Sequence, residues 1–301
     1  MREKLLKIRD LLNELIEGLD DPIAEAEPVR QASKFKESDE FRLMKSLVHS
    51  DDWPEAVFSL QIADETSESD KAERAEGIAD ILLPPFSGKK FLDFGCGEGH
   101  VAKYVSGEAS VSVGYDIVRA ETSKLSWENK KEKLLLTTDF EKVVSEGPYD
   151  IVMIYDVLDH SSADPSEVLA KAKSVLAEDG KIYLRCHPWT GRHGGHAYRK
   201  INKAFVHLVF GEDELEEMGV NLERNRKILF PIGTYNKAIE EAGLARESEP
   251  EVDTQEVESF FEENPLVKSR ILSAFGLDNW TSEKPVFQMS QCFLDYVLKK
   301  K

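Results

Sequence analysis

The stretch Phe91-Leu92-Asp93-Phe94-Gly95-Cys96-Gly97-Glu98-Gly99-His100 constrains this chain more than any other. A short apolar run carrying one acid passes into glycines at every second position, and Val101-Ala102-Lys103-Tyr104-Val105 continues as a helix. Glycine lets the backbone turn sharply and lets a ligand lie against bare peptide, while a helix start presents unpaired N–H groups. The expected element is strand, tight turn and helix, with a ligand on the turn. The spacing is not the dinucleotide fingerprint G-x-G-x-x-G, because His100 stands where its third glycine belongs. A second acid, Asp116, closes the next apolar run Val111-Ser112-Val113-Gly114-Tyr115. It falls at about the 20-residue separation that a strand–helix–strand unit requires.

Together these features resemble the first two motifs of the class I S-adenosylmethionine-dependent methyltransferases. The resemblance implies an α/β, Rossmann-like, seven-stranded and mostly parallel sheet of order 3-2-1-4-5-7-6, with strand seven antiparallel and helices on both faces. It also implies S-adenosylmethionine as cofactor. Gly95, Cys96 and Gly97 would then hold the methionine part and Asp116 the ribose hydroxyls, with Asp93, Gly99, Ile117, Tyr155 and Asp156 completing the cofactor site. Asp139 with Phe140 is the adenine candidate, although a carboxylate ending a strand is also an ordinary helix cap, and both readings stand.

The specific motifs lie within residues 91–160, and the resemblance spans about residues 85 to 298. Residues 1–84 are expected to form a helical N-terminal extension. Leu5, Ile8, Leu12, Leu15 and Leu19 recur at helical spacing, and a second helix over about Asp70 to Leu83 stops at Pro84-Pro85. Such an extension covers the cofactor mouth in many family members, or it is only extra core cover. Residues 85–301 are expected to form the cofactor-binding domain, with insertions at 187–229 and 251–284. Leu134 to Phe140 reads as the third strand and the nearly all-apolar Tyr149 to Tyr155 as the fourth. Asp164, Pro165 and Glu167 open a helix, and Lys181 to Cys186 forms the fifth strand. Thr234 is expected to cap a later helix, Leu244 to Val252 to add an edge strand, and Val286 to Leu298 to supply the last one.

After the fourth strand the chain reads Asp156-Val157-Leu158-Asp159-His160. It lacks the (Asp or Asn)-Pro-Pro-(Tyr or Phe) of amino methyltransferases acting on DNA bases, which argues against that substrate. After the fifth strand, His187 to Phe210 carries no acid and holds four of the seven histidines of the chain. Trp189, Arg192, His193, His196 and Tyr198 are the substrate-binding candidates, Arg192 because a guanidinium can fork two bonds to a carboxylate or phosphate. A metal site from Cys186, His187, His193 and His196 is set aside, because one loop would have to supply every ligand without an acid partner. The expectation is no metal. A third reading makes the loop a merely solvated insertion.

With a net charge of -18, the protein is not built for broad binding to nucleic acid or anionic membranes. Three dispersed cysteines and an N-terminus without an apolar core argue for a reducing, cytoplasmic setting. The resemblance implies methyl transfer to an oxygen or nitrogen of a small acceptor bearing a carboxylate or phosphate, with His160 or His187 removing the proton. The alternatives are an RNA or protein methyltransferase, an inactive cofactor-binding module, and a nicotinamide oxidoreductase that the misplaced glycine disfavours. Oligomeric state is not legible.

Overall fold

The computed structural model describes residues 37–57, 67–82, 84–274 and 284–301. The amphipathic stretch from Leu5 to Leu19 lies outside them. Seven strands form one sheet: β1 Lys90–Phe94, β2 Val111–Tyr115, β3 Leu134–Thr137, β4 Tyr149–Tyr155, β5 Leu176–Cys186, β6 Leu244–Arg246 and β7 Leu294–Lys300. Their order is β3-β2-β1-β4-β5-β7-β6, as expected. The pairs from β3 to β5 are parallel, and β7 runs antiparallel to both β5 and β6.

Successive strand residues point to opposite faces, so each inner strand feeds two cores. Leu92, Val152, Ile154 and Ile182 meet Leu169 and Ala172 of α5 (Pro165–Ser174) and Tyr235 and Ile239 of α9 (Ile232–Glu241). On the other face Phe91, Ile151 and Met153 meet Ala79 of α2 (Glu68–Leu82) and Val105 of α3 (His100–Val105). The α5 start is as the sequence implies: Asp164 accepts from the Ser166 N–H at 2.8 Å and Pro165 occupies the first turn. Lys173 of α5 reaches the carbonyls of Ala242 and Gly243 at 3.0 and 2.9 Å, satisfying the end of α9. Among the described residues, no helix is long and apolar enough to cross a membrane.

Three expectations need correction. Helix α9 begins at Ile232 after Pro231, so Thr234 lies inside its first turn and is not the cap. Strand β6 ends at Arg246; only the Glu247 N–H extends the pairing, to the Val297 carbonyl at 2.8 Å, and Pro250 has no N–H to continue it. Residues Lys284–Ser290 are helical rather than extended: Pro285 and Met289, four apart, are buried while Phe287 between them is exposed. The last strand therefore starts at Leu294.

The remaining helices, α1 (Asp39–Val48), α4 (Phe140–Glu146), α6 (Val206–Val209), α7 (Glu212–Glu217), α8 (Glu223–Ile228), α10 (Gln255–Glu263), α11 (Pro265–Ala274) and α12 (Lys284–Ser290), complete the described chain. Several of them, with the segment after α1, hold the histidine-rich loop. Asn202 exchanges two hydrogen bonds with the Val57 backbone, both 3.0 Å, and the Trp53 indole donates to the Ala204 carbonyl at 3.0 Å. Lys203 donates to the carbonyls of Ser50 and Trp53, and Trp53 packs edge-on against Phe260 of α10. Residues Gly191 to Gly195 are all buried, so the loop is not a solvated insertion. Gly194 is required by close approach, since a Cβ there would stand 2.3 Å from the Pro188 carbonyl oxygen.

Arg192 belongs to this clamp. Its Nε donates to the Glu55 carbonyl at 2.6 Å and its NH1 to the Glu256 carboxylate. Arg192→Ala should therefore cost about 1.5–3 kcal/mol, the range for a charge-assisted hydrogen bond. Urea denaturation checks this; an unchanged midpoint would show that the clamp does not depend on Arg192.

Candidate active site

The glycine turn is fastened to the second strand. Gly95 and Cys96 both donate to the Tyr115 carbonyl, at 2.7 and 3.0 Å, and the Asp116 carboxylate accepts from the Gly97 N–H at 2.9 Å. Gly95 has φ +84, and a Cβ there would come within 2.3 Å of Val157 Cγ2, so neither the backbone nor the space admits another residue. Above the turn lies an open cleft of about 290 Å³, at the lower end of the usual range for a small-molecule site. Its floor is Asp93 and Gly95 to Glu98, one wall is Met153 and Tyr155, and α2 supplies Lys71, Arg74 and Ile78. Lys71 is held by Glu98 at 2.8 Å. The α2 helix thus lines the ligand cleft as well as the core, and these α2 residues escaped the sequence reading because nothing local ties Lys71 to a carboxylate 27 positions away.

Burial pushes the Asp93 carboxyl up to about 7, against the pull of the Ala102 N–H. Burial also holds the Cys96 thiol well above its ordinary value, so it is neutral in this fold. Asp139 acts as the cap of α4: its carboxylate accepts from the Glu141 N–H at 2.9 Å. Phe140 packs against Tyr115, ring centroids 5.3 Å apart. Ile117 is 76% exposed, a large apolar side chain left open beside Asp116.

The second half of the site sits at the carboxyl ends of β4 and β5, the crevice side of an open α/β sheet. Asp156 there has φ 53, and its N–H donates to the Arg185 carbonyl at 2.9 Å. Its Oδ1 is buried without a hydrogen bond and lies 3.6 Å from His187 Nε2. Burial and the neighbouring Asp159 charge raise Asp156 to about 7. The Asp159 side chain is fully buried, and burial raises it to about 6. The N–H groups of Asp159 and His187 lie close enough to draw that value down, yet neither carboxylate oxygen has a partner at normal hydrogen-bond geometry. Sequence reading passed over Asp159 as a site residue, since a buried acid and a surface acid look alike in a string of letters.

Facing these acids are the histidines. His187 Nδ1 and His193 Nε2 are 2.7 Å apart, and His196 stacks on His160 with centroids 5.5 Å apart. His196 has φ 53, a second left-handed residue in the site. Burial drives His187 down to about 2 and both His193 and His196 to about 4, so all three are neutral at pH 7. His160 is exposed at the mouth, with 57% of its side chain open.

The fold thus brings Asp156, His160, His187, His193 and His196 together, with the Tyr198 ring 5.9 Å from His196. It withholds two substrate candidates. Trp189 is buried against His207, which donates to the Trp189 carbonyl at 2.6 Å, and Arg226 lies over the indole. Arg192 is turned to Glu55 and Glu256. Neither is free to hold an acceptor, whereas Arg199 of the same loop stays near enough to His160 and His196 to lower both.

A carboxylate accepting from a ribose hydroxyl makes a charge-assisted bond worth about 1.5–3 kcal/mol. Asp116→Ala should accordingly weaken S-adenosylhomocysteine binding at least about tenfold while leaving the fold intact. Calorimetry decides it, and unchanged affinity would remove Asp116 from the site.

Comparison with known proteins identifies the family. The family described as "Methyltransferase domain" matches residues 68–249. The ubiquinone biosynthesis O-methyltransferase of Glaesserella parasuis is 24% identical over 194 residues, covering 60% of this chain and 72% of that protein. The enzyme of the same name from Thiobacillus denitrificans is 27% identical over 203 residues, covering 63% and 75%. The solved S-adenosylmethionine-dependent methyltransferase of Mesorhizobium loti is 18% identical with a TM-score of 0.42, covering 75% of this chain and 98% of that one. With more than half of its length matched, from the helix that lines the cleft through the sixth strand, the chain belongs to the methyltransferase-domain family and is an S-adenosylmethionine-dependent methyltransferase.

Proposed function

We propose that the protein methylates an oxygen of a small acceptor bound between the glycine turn and the histidine cluster. The observation that carries this reading is that Tyr155 lines the cleft floored by Asp93 and the glycine turn, and is followed directly by Asp156, which lies 3.6 Å from His187. Oxygen is favoured over nitrogen because the curated relatives are named as O-methyltransferases.

When bound, S-adenosylmethionine supplies a methyl group already activated on a sulfonium. The protein then has to align, exclude water and take one proton. In this reading Asp116 accepts from the ribose hydroxyls, Ile117 is covered by the cofactor, and Phe140 with Asp139 borders its adenine. Asp93 and Asp156, buried acids with raised pKa values, favour a cation beside them. Transfer of that methyl to an acceptor oxygen would release S-adenosylhomocysteine and one proton, and the protein's part is to take the proton from the acceptor O–H. His160, open at the mouth, is better placed to exchange that proton with solvent than His187, which is wedged against Phe293 and His193. An anionic group on the acceptor is not required: Arg192 is committed elsewhere and the buried histidines are uncharged.

The test is a screen of small hydroxyl and amine compounds with methyl-labelled donor, reading labelled product and S-adenosylhomocysteine by mass spectrometry. Turnover with a hydroxyl compound is expected, and His160→Ala should lower kcat by about 10²–10⁴ with cofactor affinity retained. Binding of S-adenosylhomocysteine with no turnover on any compound would favour a module that keeps the cofactor without chemistry. Labelling of amines alone would overturn the oxygen assignment.

A further inference from the structure

The histidine-rich loop lacks an acid of its own, which is why its sequence does not read as a metal site. The fold supplies that acid from another strand. Asp159, from the loop after β4, reaches the histidines that follow β5, and ligand atoms of Asp159, His187 and His196 all lie within 4.8 Å of one another. Donors around one ion at roughly 2.0–2.2 Å are at most about 4.4 Å apart, so a small contraction would close the set. We propose that Asp159, His187 and His196 form a binding site for a divalent transition-metal ion.

Three independent observations favour this. The Asp159 carboxylate is fully buried, and neither oxygen has a hydrogen-bond partner at normal geometry; its ionic neighbour, His160 Nε2, stands 3.8 Å away, beyond hydrogen-bond reach. The hydrogen bond between His187 Nδ1 and His193 Nε2 occupies one ring nitrogen and leaves Nε2 for coordination, the arrangement in which an outer partner orients a metal-bound imidazole. The His196 backbone is held at φ 53, so the chain adopts an unfavourable conformation at the residue that would complete the set. Two imidazoles and one carboxylate select zinc, iron(II) or a similar ion over magnesium or calcium, which prefer oxygen. Three protein ligands leave at least one position for water, as catalytic rather than structural sites do.

Among the described residues one other triad has suitable spacing, Glu68, Glu98 and His100. Its acids are already met by cations, Glu98 by Lys71 at 2.8 Å and Glu68 by Lys124 at 3.5 Å. It serves as the internal comparison.

The experiment uses the full chain, stripped with chelator, desalted and titrated calorimetrically with zinc chloride. About one tightly bound ion per chain is expected, and excess magnesium should not displace it. Loss of an outer partner alone weakens metal binding about 10–100-fold, so Asp159→Asn and His196→Ala should each cost at least about 100-fold. His100→Ala should leave the affinity unchanged. Cobalt(II) loaded in place of zinc gives a visible spectrum that should be lost in His196→Ala. If Asp159→Asn does not fold, the half-buried His196 carries the test. S-adenosylhomocysteine binding is measured on the same samples, so a failure of the metal site and a failure of the methyltransferase reading register separately. Absence of tight zinc binding to the parent chain, equal affinity in His196→Ala, or loss only in His100→Ala overturns the proposal.

Discussion

Two N–H groups converge on one carbonyl oxygen at the centre of this molecule: Gly95 and Cys96 both donate to Tyr115. That junction ties the turn after β1 to the end of β2, and Asp116, one residue further on, closes the ring by accepting from Gly97. The cleft exists because these contacts hold a left-handed turn open against the strand ends. Val157 packs where a side chain on Gly95 would have to go, which links the same turn to the loop carrying Asp156 and Asp159. One local constraint therefore places both halves of the site.

The site is also a place where ionisable groups are buried without their usual partners. Asp93, Asp156 and Asp159 are all raised, while His187, His193 and His196 are all lowered, and in every case burial is the leading cause. Carboxyls only part-protonated near neutral pH, set beside neutral imidazoles, make a crevice that keeps some negative charge and is receptive to a cation. Net charge was a poor guide here because Arg192 and Lys203 spend their charges on carbonyls and a carboxylate of the surrounding segments.

What was legible in the sequence was local. The three glycines, Asp116, the apolar run of β4 and the Asp164-Pro165 helix start each declare themselves within a few residues, and the strand order followed from the family they resemble. What was hidden depends on contacts between distant segments. Val286 to Met289 can be read with either period, and only the burial of Pro285 and Met289 shows a helix. Arg192 finds Glu256 64 residues away, and nothing near Arg192 announces that partner. Asp159 became a site residue only when the parallel pairing of β4 with β5 brought their following loops side by side.

Every role proposed at the crevice depends on one pose, with the cofactor over the Gly95–Gly99 turn and Asp116 and its reactive end toward Asp156 and the histidines. A crystal structure of the full chain grown with S-adenosylhomocysteine tests it most directly. Ribose hydroxyls are expected on the Asp116 carboxylate, the amino-acid portion over Gly95 to Gly97, and the sulfur on the side of Tyr155 and Asp156. A ligand bound outside this cleft, or lying across the turn with Asp116 still engaged only by Gly97, would contradict it.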